Sequence, residues 1–299
     1  MAEPAVTGAG RPGRPGEPLA AGATTPNPGA ATGVERIAEA FANARGSAAL
    51  MPYLMAGYPT FEQSVAIGQA CVRAGADLLE LGVPYSDPLA DGPVIHEAGT
   101  RALAAGSSIA GVLEVARALA PSVPVVLMCY ANMVFAPGVE AFVERLARSG
   151  ACGLIVPDLP FEEGGEVRAA CERHGLALVP LVAPTTSTER MREIGAAARG
   201  FVYTVSVVGT TGEREALQER FAEVVARAKQ STSVPVALGF GISTPAQAAQ
   251  AAAAGADGVI VGTRLVRAAG EAEDPAAGVG ALVAELALGL AATDGRAAS

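Results

Sequence analysis

The chain has 299 residues, 51% of them hydrophobic, and a net charge of −9. That length and apolar content suffice for one large domain with a full core. The acidic balance, with no Lys/Arg cluster to offset it, excludes a nucleic-acid backbone or an anionic membrane as partner, so an anionic substrate would have to be held by local geometry.

The four cysteines, Cys71, Cys129, Cys152 and Cys171, form no CxxC pair. Together with a start that lacks a secretory leader, they point to a reduced, cytoplasmic protein. No apolar run approaches the length of a membrane span. The sole lysine is Lys229, and the only histidines are His96 and His174.

In chain order, residues 1–33 are rich in Gly, Pro, Ala and Thr and read as a disordered tail. Val34, Ile37, Ala38 and Phe41 share one face of a helix over Val34–Asn43. From about residue 48 a unit repeats: a short apolar run, a polar or Gly-rich loop, an amphipathic helix, a glycine. The runs are Pro52–Met55, Leu78–Leu81, Val125–Met128, Leu154–Val156, Ala177–Val179, Phe201–Thr204, Val236–Leu238 and Gly258–Val261. Each is short and apolar on both faces, as a strand covered by helices should be. The joints Ala74-Gly75-Ala76-Asp77, Ser149-Gly150-Ala151-Cys152 and Ala254-Gly255-Ala256-Asp257 each put glycine where a helix closes. Eight such units predict an α/β fold: a single-domain (β/α)8 TIM barrel over residues 34–291, with an extra N-terminal helix and a frayed C-terminus at 292–299. An open doubly wound sheet is the alternative, and the missing GxGxxG after the first strand weakens it.

In a barrel the working residues follow the strands on one face. Gly209, Gly212, Gly239, Gly241 and Gly262 crowd the last loops there. Helices starting near Ser243 and Thr263 aim their N-termini the same way, and backbone amides plus helix dipoles hold a phosphate without lysine. Taken singly, each glycine reads as a turn residue; two adjacent Gly-rich strand ends, each entering a helix, favour a phosphate. Glu80 ends a buried strand, where a carboxylate is costly unless protonated, paired or functional. Burial raises its pKa toward the range of a proton shuttle, and a structural Glu bonded to a loop amide is the plainer reading. Asp91 ends a loop stiffened by Pro84, Pro88 and Pro93. By position alone it is equally an Asx turn before Gly92 or a second carboxylate at the pocket. Asp158 reads as the cap of a helix containing Glu162 and Glu163. Lys229 lies late in a helix, which counts against a Schiff-base aldolase, and two distant histidines supply no zinc site. Carboxylate chemistry on a phosphorylated small molecule, with no metal, is what remains.

Leu79–Pro93, containing Leu79-Glu80-Leu81-Gly82-Val83-Pro84-Tyr85-Ser86-Asp87-Pro88, closely resembles a segment of the tryptophan synthase α chain family. Pro52–Pro59, Met128–Asn132, Val156–Pro160, Tyr203–Gly212 and Gly239–Ser243 resemble further family segments in order and spacing, over roughly residues 34–290. The resemblance implies retro-aldol cleavage of indole-3-glycerol phosphate to indole and glyceraldehyde 3-phosphate. Glu80 would move the protons and Asp91 would hold the indole N–H. Tyr53, Leu181 and Tyr203 match the indole pocket, Thr211 a loop residue over the substrate, and Gly212, Phe240, Gly241, Gly262 and Thr263 the phosphate side. It also implies a PLP-dependent β subunit as partner in an α2β2 assembly, with no cofactor in this chain. Loop Pro84–Pro88 and the Asn132 region would face that partner. Thr263, Met133 and Tyr58 depart from the commoner family residues. A non-catalytic phosphate-binding barrel is the rival, though it would not need both carboxylates.

Overall fold

The computed structural model describes residues 31–205, 214–239 and 241–291; in the helix that starts at Arg214, side chains are described from residue 222. The order is α1 (Gly33–Ala42), β1 (Ala49–Met55), α2 (Phe61–Arg73), β2 (Leu79–Gly82), α3 (Pro93–Ala104), α4 (Ile109–Leu119), β3 (Val125–Met128), α5 (Ala131–Phe135), α6 (Val139–Arg148), β4 (Gly153–Ile155) and α7 (Gly165–Arg173). It continues through β5 (Ala177–Leu178), β6 (Leu181–Val182), α8 (Thr188–Ala197), β7 (Val202–Val205), α9 (Arg214–Lys229), β8 (Val236–Gly239), α10 (Pro245–Ala253), β9 (Gly258–Val261), α11 (Thr263–Glu271) and α12 (Pro275–Ala291). The predicted apolar runs all become strands, and every strand pairing is parallel. No single helix among the described residues is long and apolar enough to cross a membrane.

One strand differs from expectation. The fifth is broken into β5 and β6, with Val179 and Pro180 between them. Proline brings no N–H to a ladder and interrupts it. The halves divide their neighbours, β5 pairing with β4 and β6 with β7. The break itself is still tied on both sides. Val179 N–H donates to the Leu154 carbonyl at 2.9 Å, and Pro180 O accepts from Tyr203 N–H at 3.0 Å. The ring therefore closes through the chain, and the barrel is complete.

The base of the barrel is held by short, fully partnered contacts. Gly75, Gly150 and Gly255 adopt φ of 108°, 78° and 94°, the left-handed conformation expected of the repeated joints. The aspartates of two joints then tie strands together. Asp77 accepts from Leu50 N–H at 2.9 Å, and Asp257 accepts from Val236 N–H at 2.9 Å and from Lys229 Nζ at 2.8 Å. The single lysine is thus committed to the base. Across this end lies α1, started by a capping box between Thr32 and Glu35. Ile37 is fully buried against Gly153 and Gly200. Phe41 packs on Phe201 with ring centroids 5.6 Å apart and sits against Gly258. Arg36 donates to the carbonyls of Gly150 (3.1 Å), Val123 (3.3 Å) and Ala120.

Some expected boundaries shift. Residues 1–30 of the expected tail and the 292–299 terminus lie outside the described residues, but Thr32 and Gly33 belong to the start of α1. Asp158 does not cap a helix containing Glu162 and Glu163. It accepts from Ala131 N–H at 2.8 Å and so caps α5, while Glu162 and Glu163 lie in a turn before α7. The carboxylate serves the neighbouring unit because the β4 loop folds over toward β3.

Candidate active site

The strand register sets the mouth of the barrel. In parallel pairs, partnered residues face the same side of the sheet. Tyr53 is level with Glu80 and Glu80 with Val126; Leu181 is level with Tyr203 and Tyr203 with Ala237. Tyr203 feels the charge of Glu80 and the phenol of Tyr53 although β7 borders neither β1 nor β2, so these side chains meet across the interior. Two strand-end glycines make room for them. A Cβ on Gly82 would strike the Tyr53 phenol, and one on Gly239 the Tyr203 phenol. A Cβ on Gly262 would reach the Tyr53 side chain at 3.4 Å. Both phenols are buried, and both are held well above their ordinary pKa, chiefly by burial.

Glu80 is 1% exposed, and neither carboxyl oxygen has a hydrogen-bond partner among the described residues. A buried carboxylate in that state is costly, so the group holds its proton. Burial first, and the charge of Asp91 second, push its pKa up to about 8. A pKa in that range suits a group that gives a proton and accepts one back near neutral pH.

Asp91 differs. It is partly buried, and its pKa is raised by burial but pulled back by the Tyr130 hydroxyl and by His96. The structure therefore keeps two carboxyls of unequal acidity at one mouth, the arrangement that separates an acid role from an anionic role. Tyr130, which follows β3, belongs to this mouth as well. Its hydroxyl accepts from Ala90 N–H at 3.0 Å, and its ring stacks on Tyr85 at 4.7 Å. No local pattern reveals these contacts, which join residues 40 and 45 positions apart.

The glycine-rich side resolves into two unequal helix ends. Thr244 caps α10 with a capping box, and the Gln247 side chain accepts from Ser243 N–H and Thr244 N–H. Those amides are spent on the helix itself. In α11, N-cap Gly262 contributes no side-chain cap and Thr263 stands at the first helical position; Leu265 N–H is taken by the Gly262 carbonyl at 2.9 Å, and the amides ahead of it have no capping side chain. Gly241, just after β8, takes φ 80° beside it. Of the two helix ends expected at a phosphate, α10 thus has its leading amides taken by Gln247, and α11 has no side-chain cap. Thr211, Gly212 and Phe240 lie outside the described residues. No cluster of three metal-ligating side chains occurs among the described residues.

Comparison with known proteins agrees with this geometry. A family model described as tryptophan synthase alpha chain matches residues 40–291. The tryptophan synthase alpha chain of Synechococcus sp. is 52% identical over 224 residues, 74% of this chain and 83% of that protein. That of Methanosarcina mazei is 48% identical over 242 residues, 81% of this chain and 89% of its own length. Among solved structures, tryptophan synthase from Mycobacterium tuberculosis superposes with a TM-score of 0.78 at 41% identity, covering 87% of this chain and 99% of that one. The alpha chain from Legionella pneumophila gives 0.79 at 35% identity, covering 90% of this chain and 100% of its own. With the model matching well over half its length and relatives this similar, the chain belongs to the tryptophan synthase alpha chain family, a family of lyases.

Proposed function

We propose that this chain cleaves indole-3-glycerol phosphate to indole and glyceraldehyde 3-phosphate, with Glu80 and Asp91 as its acid/base pair. One observation carries the assignment: a buried Glu80 with no hydrogen-bond partner among the described residues, its pKa pushed up to about 8 by burial and by the charge of Asp91. Glu80 delivers its proton to indole C3, which breaks the ring's aromaticity. The Asp91 carboxylate accepts a hydrogen bond from the indole N–H and balances the positive charge that grows on that nitrogen. Glu80, now a carboxylate, takes the proton of the hydroxyl on the adjacent side-chain carbon. The C–C bond breaks, its electron pair restores the indole, and the hydroxyl carbon becomes the aldehyde. All atoms of the substrate appear in the two products, and Glu80 ends protonated as it began. The protonated indole acts as the electron sink, so Lys229 at the base is not needed.

Tyr53, Leu181, Tyr203 and Phe240 line the indole side. Gly212, Gly241, Gly262 and Thr263 hold the phosphate, with the N-terminus of α11, which no side chain caps, in support, and Thr211 belongs to the loop over the substrate. The partner is a PLP-bearing β subunit in an α2β2 assembly in the cytoplasm, and PLP belongs to that subunit. Two exposed apolar side chains favour a docking face at this end: Leu89 on the loop after β2, 89% exposed, and Phe135 on α5, 42% exposed.

Indole release from indole-3-glycerol phosphate, measured with and without a β subunit, tests the reading. The expected result is release by the wild type and a loss of turnover on the order of 100- to 10,000-fold in Glu80→Gln and Asp91→Asn, with substrate binding largely kept. Equal output from the wild type and both variants sinks it. Phosphate-ligand binding without any turnover would favour the regulatory barrel instead.

A further inference from the structure

Tyr130 touches the Asp91 loop at more than one point. Its ring stacks on Tyr85 near the start of the loop, at 4.7 Å. Its hydroxyl receives the Ala90 N–H near the end, at 3.0 Å. The same hydroxyl pulls down the Asp91 pKa, which burial raises. The ring itself is fixed from behind. Tyr130 is the N-cap residue of α5 and is 4% exposed, and the next amide, Ala131 N–H, is held by Asp158 at 2.8 Å. The loop carries three prolines, which limit its conformations without selecting among them. A peg that binds both ends makes the selection.

We infer that Tyr130 is a positioning residue: it winds the Tyr85–Asp91 loop around its ring and hydroxyl, and so sets where the Asp91 carboxylate stands. The hydroxyl can serve the amide and the carboxylate together because it has one proton to give and two lone pairs. One lone pair takes the Ala90 amide, and the proton is left for the carboxylate. A hydrogen bond to an ionised acceptor is among the stronger kinds. The other groups that act on or near Asp91 are His96 from α3, which favours the anion, and Glu80 and Tyr53 from β2 and β1, which share its pocket. Tyr130 and His96 are thus the two groups that oppose its protonation. The inference rests on the proposed role of Asp91, and its test separates the two.

Tyr130→Phe keeps the ring and removes only the hydroxyl. With the full chain labelled at its aspartate carboxyls, NMR titration is expected to show the Asp91 pKa higher in Tyr130→Phe than in the wild type. That measurement needs no turnover, so it stands even if the chain proves not to cleave indole-3-glycerol phosphate. In the assembled enzyme, kcat/KM is expected to fall about 10- to 100-fold near neutral pH, the usual scale for losing a hydrogen bond to a charged group. The acidic limb of the pH profile, where Asp91 must ionise, should move to higher pH. The alkaline limb set by Glu80 should stay. In single-turnover assays, Tyr130→Phe should cost little more once Asp91 is already Asn. An unmoved Asp91 titration overturns the inference. So does an activity loss of the same size in the Asp91→Asn background, or one that follows a lowered melting temperature with both pH limbs in place.

Discussion

At the base of this barrel the charged groups are matched; at its mouth the principal one is not. Arg36 is bonded to three carbonyls, Asp77 holds a strand amide, and Asp257 holds a strand amide and Lys229. Glu80, buried more deeply than any of them, has no hydrogen-bond partner among the described residues. Satisfied polar groups and filled space stabilise a fold. A buried acid without a partner opposes folding and persists where chemistry uses it. The same eight-unit scaffold thus assigns stability to one end of the strands and reactivity to the other.

The sharpest way to break that division is to exchange the outcomes. Glu80→Gln should lower turnover by about 100- to 10,000-fold while raising stability at alkaline pH. The sign follows from the raised pKa. Folding favours the protonated acid, so its contribution is complete below about 4.5, the ordinary value, and is lost as pH rises toward about 8. Melting curves of wild type and Glu80→Gln should diverge across that interval, the wild type falling behind by on the order of a few kcal/mol, and run parallel above it. Curves that stay parallel from pH 4 to 9 would mean Glu80 is not held as an acid. At the other end, Ile37→Ala empties the plug of the base and should cost about 2–4 kcal/mol in denaturant unfolding. Its kcat at temperatures where it stays folded should match the wild type. A comparable loss of kcat would show the two ends to be coupled. The smallest effect belongs to the mouth. Gly239→Ala forces the buried Tyr203 ring and hydroxyl to shift and should cost about 1–3 kcal/mol of fold stability while raising KM about 10-fold. Tyr203→Phe in the same chain, which withdraws the nearest atom, should recover part of it.

What the sequence disclosed, and what it withheld, divides along physical lines. Strands buried on both faces and glycines at helix ends are local signals, and they revealed the barrel and its repeated joints. Glu80 was legible because a carboxylate at the end of an apolar strand contradicts its surroundings. Asp91 was undecided by position, since an Asx turn and a pocket carboxylate look alike before a glycine. The split at Pro180 was visible as a proline after the fifth run, but that β6 would still complete the ring depends on pairing with β7. The capping box of Thr244 and Gln247 is equally local, a threonine three residues ahead of a glutamine. Tyr130 and the true partner of Asp158 depend on contacts between different βα units, which no spacing along the chain encodes.

The four cysteines add one consequence of their own. All are buried, and burial raises each thiol's pKa, so the folded protein offers almost no thiolate to an alkylating reagent. Reaction must wait for a local opening. Cys129 adjoins Tyr130 at the mouth, while Cys152 lies just before β4 at the base, its backbone against Gly33 of α1. The molecule thus contains two built-in clocks, one at each end. Mass spectrometry of slow alkylation reads them separately, without any introduced label, and times how often the reactive end and the plugged end breathe.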